Sequence, residues 1–139
     1  MPQYIDRLAM ILEEQKAISP PMAASLKKEF AHRSKDAVDD FLLTEGIVDR
    51  PALLAALNSY YKVPAFDAEG YFFDHQLLLQ FPKDFLLRNQ IIPVAVYAGD
   101  NILLVVADDP SNEELLEKIG QFVSYDITFA VGIAQDITD

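Results

Sequence analysis

A chain of 139 residues with a net charge of −11 and no cysteine can bury roughly two thirds of its unfolded surface in one domain or two small halves, and can hold neither a disulfide framework nor a thiolate zinc site. Its longest apolar runs, Ile91 to Tyr97 and Ile102 to Ala107, fall far short of the ~20 residues that span a bilayer, and Asp6 and Arg7 do not make the start of a signal peptide. The charge is uneven: residues 1–62 carry 8 Lys/Arg against 9 Asp/Glu, and residues 63–139 carry 3 against 13, a field that argues against nucleic acid or anionic lipid as partner and is read either as charge that keeps the domain soluble or as a match for a basic protein surface.

In chain order, Ile5, Leu8, Ile11 and Leu12 share one helical face over residues 3–15, with Asp6, Glu13 and Glu14 off it. Ser19 followed by Pro20 and Pro21 starts a second helix, along which Met22, Leu26 and Phe30 are expected inward. Val38, Phe41 and Leu42 make the stripe of a third helix, which ends where Gly46 can take a left-handed cap. Asp49 suits the N-cap of a fourth and Pro51 its first turn, with Leu53, Leu54, Leu57 and Tyr61 inward.

The two helix pairs repeat at about 30 residues. Leu8 aligns with Val38, Leu12 with Leu42, Ile18 with Val48, Leu26 with Leu57 and Phe30 with Tyr61, the pattern of duplicated helical hairpins that need each other to bury a face. Pro64 then breaks the helical pattern at residues 62–67, which sets the expected boundary between a helical half, 1–62, and a second half, 63–139.

In the second half Asp74 can cap a short helix carrying Leu77 and Leu78, and Pro82 can open another with Phe85, Leu86 and Leu87 inward. Ile91 to Tyr97 and Ile102 to Ala107 read as a β-hairpin around Ala98-Gly99-Asp100-Asn101, with Pro93 at a strand start or on an edge. Ser111 and Glu114 have the spacing of a capping box before a helix with Leu115, Leu116 and Ile119 inward, closed by Gly120. Tyr125, Ile127, Phe129 and Val131 alternate as a half-buried strand, and Ile133 and Ile137 suggest a final helix. The expected fold class is α+β: a four-helix half of two helix-turn-helix units packed on a small α/β half with a three-stranded sheet.

The unit around Gly46 resembles the N-terminal domain of type II secretion and type IV pilus assembly ATPases, the MshEN domain. The family segment runs Arg-Leu-Gly, a pair of aliphatics, Gly, two more aliphatics, two spaced Leu and a Gln. Leu42, Leu43, Gly46, Ile47, Val48, Leu53 and Leu57 match it in register, whereas Ala37-Val38-Asp39 stands for Arg-Leu-Gly and Tyr60 for the Gln. In the first copy Arg7-Leu8-Ala9 matches more closely, but Lys16 replaces the turn glycine and the Gln position falls near Glu29. Residues 62–67, ending in Phe66-Asp67, and residues 81–94, which lead through a helix into Ile91-Ile92-Pro93-Val94, are similar to further segments of the family.

The resemblance implies a non-catalytic docking module that recruits a motor to the cytoplasmic domain of an inner-membrane secretion platform protein, so that the chain is cytoplasmic and peripheral to that membrane through its partner. In the family an ATPase body follows this domain. Cyclic di-GMP, bound by some family members, is the alternative; the residues that would hold it are Arg7, Leu8, Lys16, Leu42, Leu43 and Gly46. Against it, Ala9, Lys16, Glu29, Ala37, Asp39 and Tyr60 depart from the motif, and Asp39 would set a like charge near the diphosphate.

Catalytic signatures are absent from the sequence. There is no Gly-x4-Gly-Lys-Ser/Thr loop, and the five glycines are too scattered to cradle phosphates. No serine sits in a Gly-x-Ser-x-Gly elbow. His32 and His75 lack metal-ligand spacing, and Asp108-Asp109 before Pro110 reads as turn and helix-dipole chemistry. No enzyme activity, metal or other cofactor is expected.

Overall fold

The computed structural model describes residues 4–68, 71–97 and 99–133. They fall into two compact units, Met1–Lys62 and Val63–Asp139.

The first unit contains α1 (Tyr4–Glu14), α2 (Pro20–Glu29), α3 (Lys35–Thr44) and α4 (Arg50–Tyr61). Ile5, Leu8, Ala9, Ile11 and Leu12 of α1 are all buried, and this helix packs chiefly against α2 and α4 while also touching α3. Capping chemistry fixes where α2 and α4 begin: Met22 N donates to Ser19 Oγ at 3.3 Å and Ala52 N to Asp49 Oδ1 at 2.9 Å. Each cap satisfies a backbone donor that the first helical turn leaves open.

Met22 does not lie inward as expected. It is exposed, and Ala23, Leu26 and Phe30 take the buried face, because successive i+4 steps rotate by about 40° around the helix and carry residue 22 off the stripe.

The second unit contains α5 (His75–Leu78), α6 (Lys83–Asn89), β1 (Ile91–Tyr97), β2 (Ile102–Ala107), α7 (Glu114–Ile119) and β3 (Asp126–Val131). The sheet order is β1-β2-β3. β1 and β2 form the antiparallel hairpin, while β3 returns after α7 to lie parallel to β2. Helices cover one face, where Leu77, Phe81, Leu115 and Ile119 pack with Ile91, Leu103, Val105 and Ala107. On the other face Val94, Val106 and Ala130 meet Phe66, Phe73 and Leu104. Pro93 lies on edge strand β1, beside an irregularity in register between Pro93 and Ala95, as a residue without an N–H requires.

Two inward placements and one cap are corrected here, and one further expectation is not reached. Leu87 and Leu116 are exposed; α6 and α7 are short and offer the sheet only a narrow face, filled by Phe85 and Leu86 on one and Leu115 and Ile119 on the other. The Ser111–Glu114 capping box does not form. Ser111 Oγ instead donates to Asp109 Oδ1, and Asn112 Oδ1 accepts from Glu114 N at 3.0 Å: the aspartate and asparagine draw the local donors first. The final helix expected from Ile133 and Ile137 lies largely in residues 134–139, outside the described residues.

Candidate functional site

The motif-bearing residues all fall in the helical unit, and its two hairpin turns are built alike. At the end of α3, Gly46 N donates to Leu43 O at 3.2 Å and Ile47 N to Leu42 O at 2.9 Å. At the end of α1, Lys16 N donates to Glu13 O at 3.0 Å and Ala17 N to Leu12 O at 2.8 Å. Both are Schellman caps with a left-handed residue at the turn, φ 68° at Gly46 and φ 61° at Lys16. Lysine thus occupies a backbone conformation that costs an L-residue roughly 1–2 kcal/mol. The caps and the buried residues that follow them, Ile18 and Val48, hold an offset of 30; α4 then extends to 12 residues against 10 in α2.

Leu8 and Leu42 are fully buried, which makes them core rather than surface, while Leu43 is half-buried. Arg7 is exposed and its guanidinium carbon stands 4.8 Å from the Tyr60 ring centroid, within cation–π range. Tyr60 also meets Tyr4 at 5.2 Å and Tyr61 at 4.6 Å between ring centroids. Arg7, Lys16 and Gly46 are therefore at the surface, whereas Leu8 and Leu42 lie in the core.

Asp39 is the residue whose place the sequence reading got wrong. It is not a surface charge facing a ligand: it is 1 % exposed, accepting from Tyr4 Oη at 2.5 Å and from Lys35 Nζ at 2.7 Å. At the repeat offset of 30 its counterpart is Ala9, also buried. Burial raises the Asp39 carboxyl above its ordinary value even though Lys35 and the two hydrogen bonds pull it down. Burial, and then the Asp39 charge, raise Tyr4 well above the usual phenol range. The missed signal was there to read: 35, 38, 39 and 42 are spaced i, i+3, i+4, i+7, so Asp39 shares the stripe of Val38 and Leu42 and sits four residues from a cation.

The second unit carries an open cleft of about 660 Å³ lined by Gln80, Asn101, Gln121 and Ser124 with Phe122 and Tyr125 among others. Its polar groups are side-chain amides and hydroxyls, with no pair of titratable groups placed to exchange a proton. Among the described residues there is no group of three or more His, Asp or Glu that could hold a metal ion, and no helix is long and apolar enough to cross a membrane.

Two helical hairpins followed in sequence by a three-stranded α/β unit make an α+β fold, and the comparisons with known proteins show which class of domain carries it. The family model of the MshEN domain matches residues 61–139, and the chain belongs to that family. The matched part includes residues 81–94 and leaves out the hairpin turns at Lys16 and Gly46.

The chain is similar to the solved structure of MshE with cdg, at 19% identity and a TM-score of 0.65, over 95% of this chain and 94% of that one. It is similar also to the N-terminal domain of XpsE, at 17% identity and a TM-score of 0.59, over 99% of this chain and 94% of that one. At these identities the likeness establishes the fold. No curated protein matches the sequence.

Proposed function

We propose that the chain is a docking module that joins a secretion or pilus-assembly motor to a basic surface on the cytoplasmic domain of an inner-membrane platform protein, and does no chemistry itself. The observation that carries this reading is the second unit's surface. Residues 63–139 hold 13 acidic against 3 basic side chains, and among them Phe72 and Leu79 stand 96 % and 77 % exposed. Exposed apolar groups amid charge of one sign suit a protein partner of opposite sign. Calorimetric titration with the cytoplasmic domain of the platform protein, at about 50 mM and about 500 mM salt, tests it. Binding that weakens as salt rises supports the reading; binding indifferent to salt removes its electrostatic basis.

The second reading is cyclic di-GMP binding, favoured by the paired turns at Lys16 and Gly46 and by the relative MshE, solved with cdg. Burial of Asp39 removes one objection, since its carboxylate does not face the surface. The contact of Arg7 with Tyr60 stands against it, because a ligand must displace that ring to reach the guanidinium. Saturable heat on titrating cyclic di-GMP, abolished by Arg7→Ala, would place this reading first.

A further inference from the structure

The two outer edges of the sheet are finished differently. On β1, Pro93 and the register irregularity after it interrupt the ladder, a usual way of protecting an edge from pairing. On β3 the outer edge is closed, among the described residues, only at its C-terminal end. Val131 N donates to Pro64 O at 2.8 Å and Phe66 N donates to Val131 O at 2.9 Å, through a parallel bridge between Ala65 and Val131.

The rest of that edge can be read from the ladder. Asp126 N donates to Asn101 O and Gly132 N to Ala107 O, so the even-numbered residues of β3 face β2 and the odd-numbered ones face away. Ile127 and Phe129 therefore turn their N–H and C=O groups outward, and among the described residues those groups have no partner. No proline or lysine blunts this stretch. Its side chains alternate, with Ile127 and Phe129 packed against the core and Asp126 and Thr128 exposed.

We infer that the open edge of β3 at Ile127 and Phe129 takes an added strand from a partner, an extended segment in which basic and apolar residues alternate. The backbone groups of Ile127 and Phe129 supply the pairing. Apolar side chains of the added strand extend the core face beside Ile127 and Phe129, and its basic side chains lie on the face of Asp126 and Thr128. The net charge of −10 over residues 63–139 selects a cationic segment and opposes pairing with a second copy of this chain. The inference rests on the docking reading and deepens it, by naming the edge and the strand chemistry.

The test uses the full isotope-labelled chain and three peptides: acetyl-Lys-Val-Lys-Val-Lys-Val amide, the same peptide N-methylated at every second residue, and acetyl-Glu-Val-Glu-Val-Glu-Val amide. The expected result is saturable shifts and slowed hydrogen exchange at the Ile127 and Phe129 amides with the lysine peptide, and affinity weaker by about tenfold or more for the other two, the N-methylated peptide having lost two or so hydrogen bonds. Ile127→Pro, which removes one outward donor where an edge strand tolerates proline, should reproduce the loss; if that variant does not fold, the N-methylated peptide decides. Shifts confined to other acidic positions of residues 63–139 overturn the edge and leave docking by the acidic unit standing. Equal binding of the N-methylated peptide, no binding at all, or protection of Ile127 and Phe129 by self-association without peptide also overturns it.

Discussion

Tyr4 and Asp39, 35 residues apart, meet in a 2.5 Å hydrogen bond that ties the start of α1 to the middle of α3. Lys35 completes the group from one turn earlier on α3, at 2.7 Å and with its side chain only 10% exposed. A carboxylate in an apolar helical unit is tolerated because two donors replace the water it has lost.

Removing that carboxylate should be costly. Asp39→Ala is expected to destabilise the helical unit by about 3–5 kcal/mol, since it takes away the group that Tyr4 and Lys35 both face. Asp39→Asn, which keeps an acceptor for Tyr4, should cost less. Urea denaturation followed by circular dichroism measures both, and equal losses would show that the negative charge, rather than an acceptor of this shape, is what matters at this site.

The same residue makes stability depend on pH. A carboxyl raised by folding contributes stability that is fully present below its unfolded value, about 4, and lost as pH rises through the folded one. The stability difference between the native chain and Asp39→Asn should therefore shrink as pH rises from about 4 through the raised value. Denaturation midpoints of both proteins across that range check the sign; a difference that grows with pH would mean that Lys35 outweighs burial.

The two hairpin turns offer a reciprocal pair. Lys16→Gly should stabilise by about 0.5–1 kcal/mol, the gain from relieving the left-handed lysine less the extra freedom of an unfolded glycine. Gly46→Lys should destabilise by about 1 kcal/mol, through backbone conformation alone, because a Cβ at Gly46 would meet nothing within 4 Å. Thermal melts of both variants read the effect, and changes of the same sign would contradict the matched geometry.

The contact between Arg7 and Tyr60 should be worth about 0.5–1 kcal/mol, as expected of an exposed cation–π pair. A double-mutant cycle with Arg7→Ala and Tyr60→Leu isolates it. A coupling energy of zero would return Arg7 to solvent and to any ligand.

What the sequence made legible was set by local rules. Stripes at helical period gave α1, α3 and α4, strand alternation gave β3, and Asp49 and Asp74 cap α4 and α5 as their positions require. The misses lie where a neighbouring group competed better: Asn112 accepts from the Glu114 N–H that Ser111 was expected to cap, Asp109 accepts from the Ser111 N–H that Glu114 was expected to take, and Met22 lost the inner face to Ala23. Of the candidate site, the turn at Gly46 was legible from one glycine. The matching turn at Lys16 was visible only as a departure, because sequence does not show that a lysine has accepted the left-handed conformation. The burial of Asp39 escaped because the carboxylate was weighed for its charge and not for its place on the helix.

The most direct measurement compares two pairs of charge reversals of equal size in the two units: Glu113→Lys with Glu117→Lys on the acidic unit, and Glu14→Lys with Glu45→Lys on the helical one, all four glutamates being exposed. Titrated with the platform protein's cytoplasmic domain at low salt, the first pair should weaken binding by about tenfold and the second should leave it within about twofold. Loss caused by the second pair alone, with the first indistinguishable from the native chain, would contradict the account.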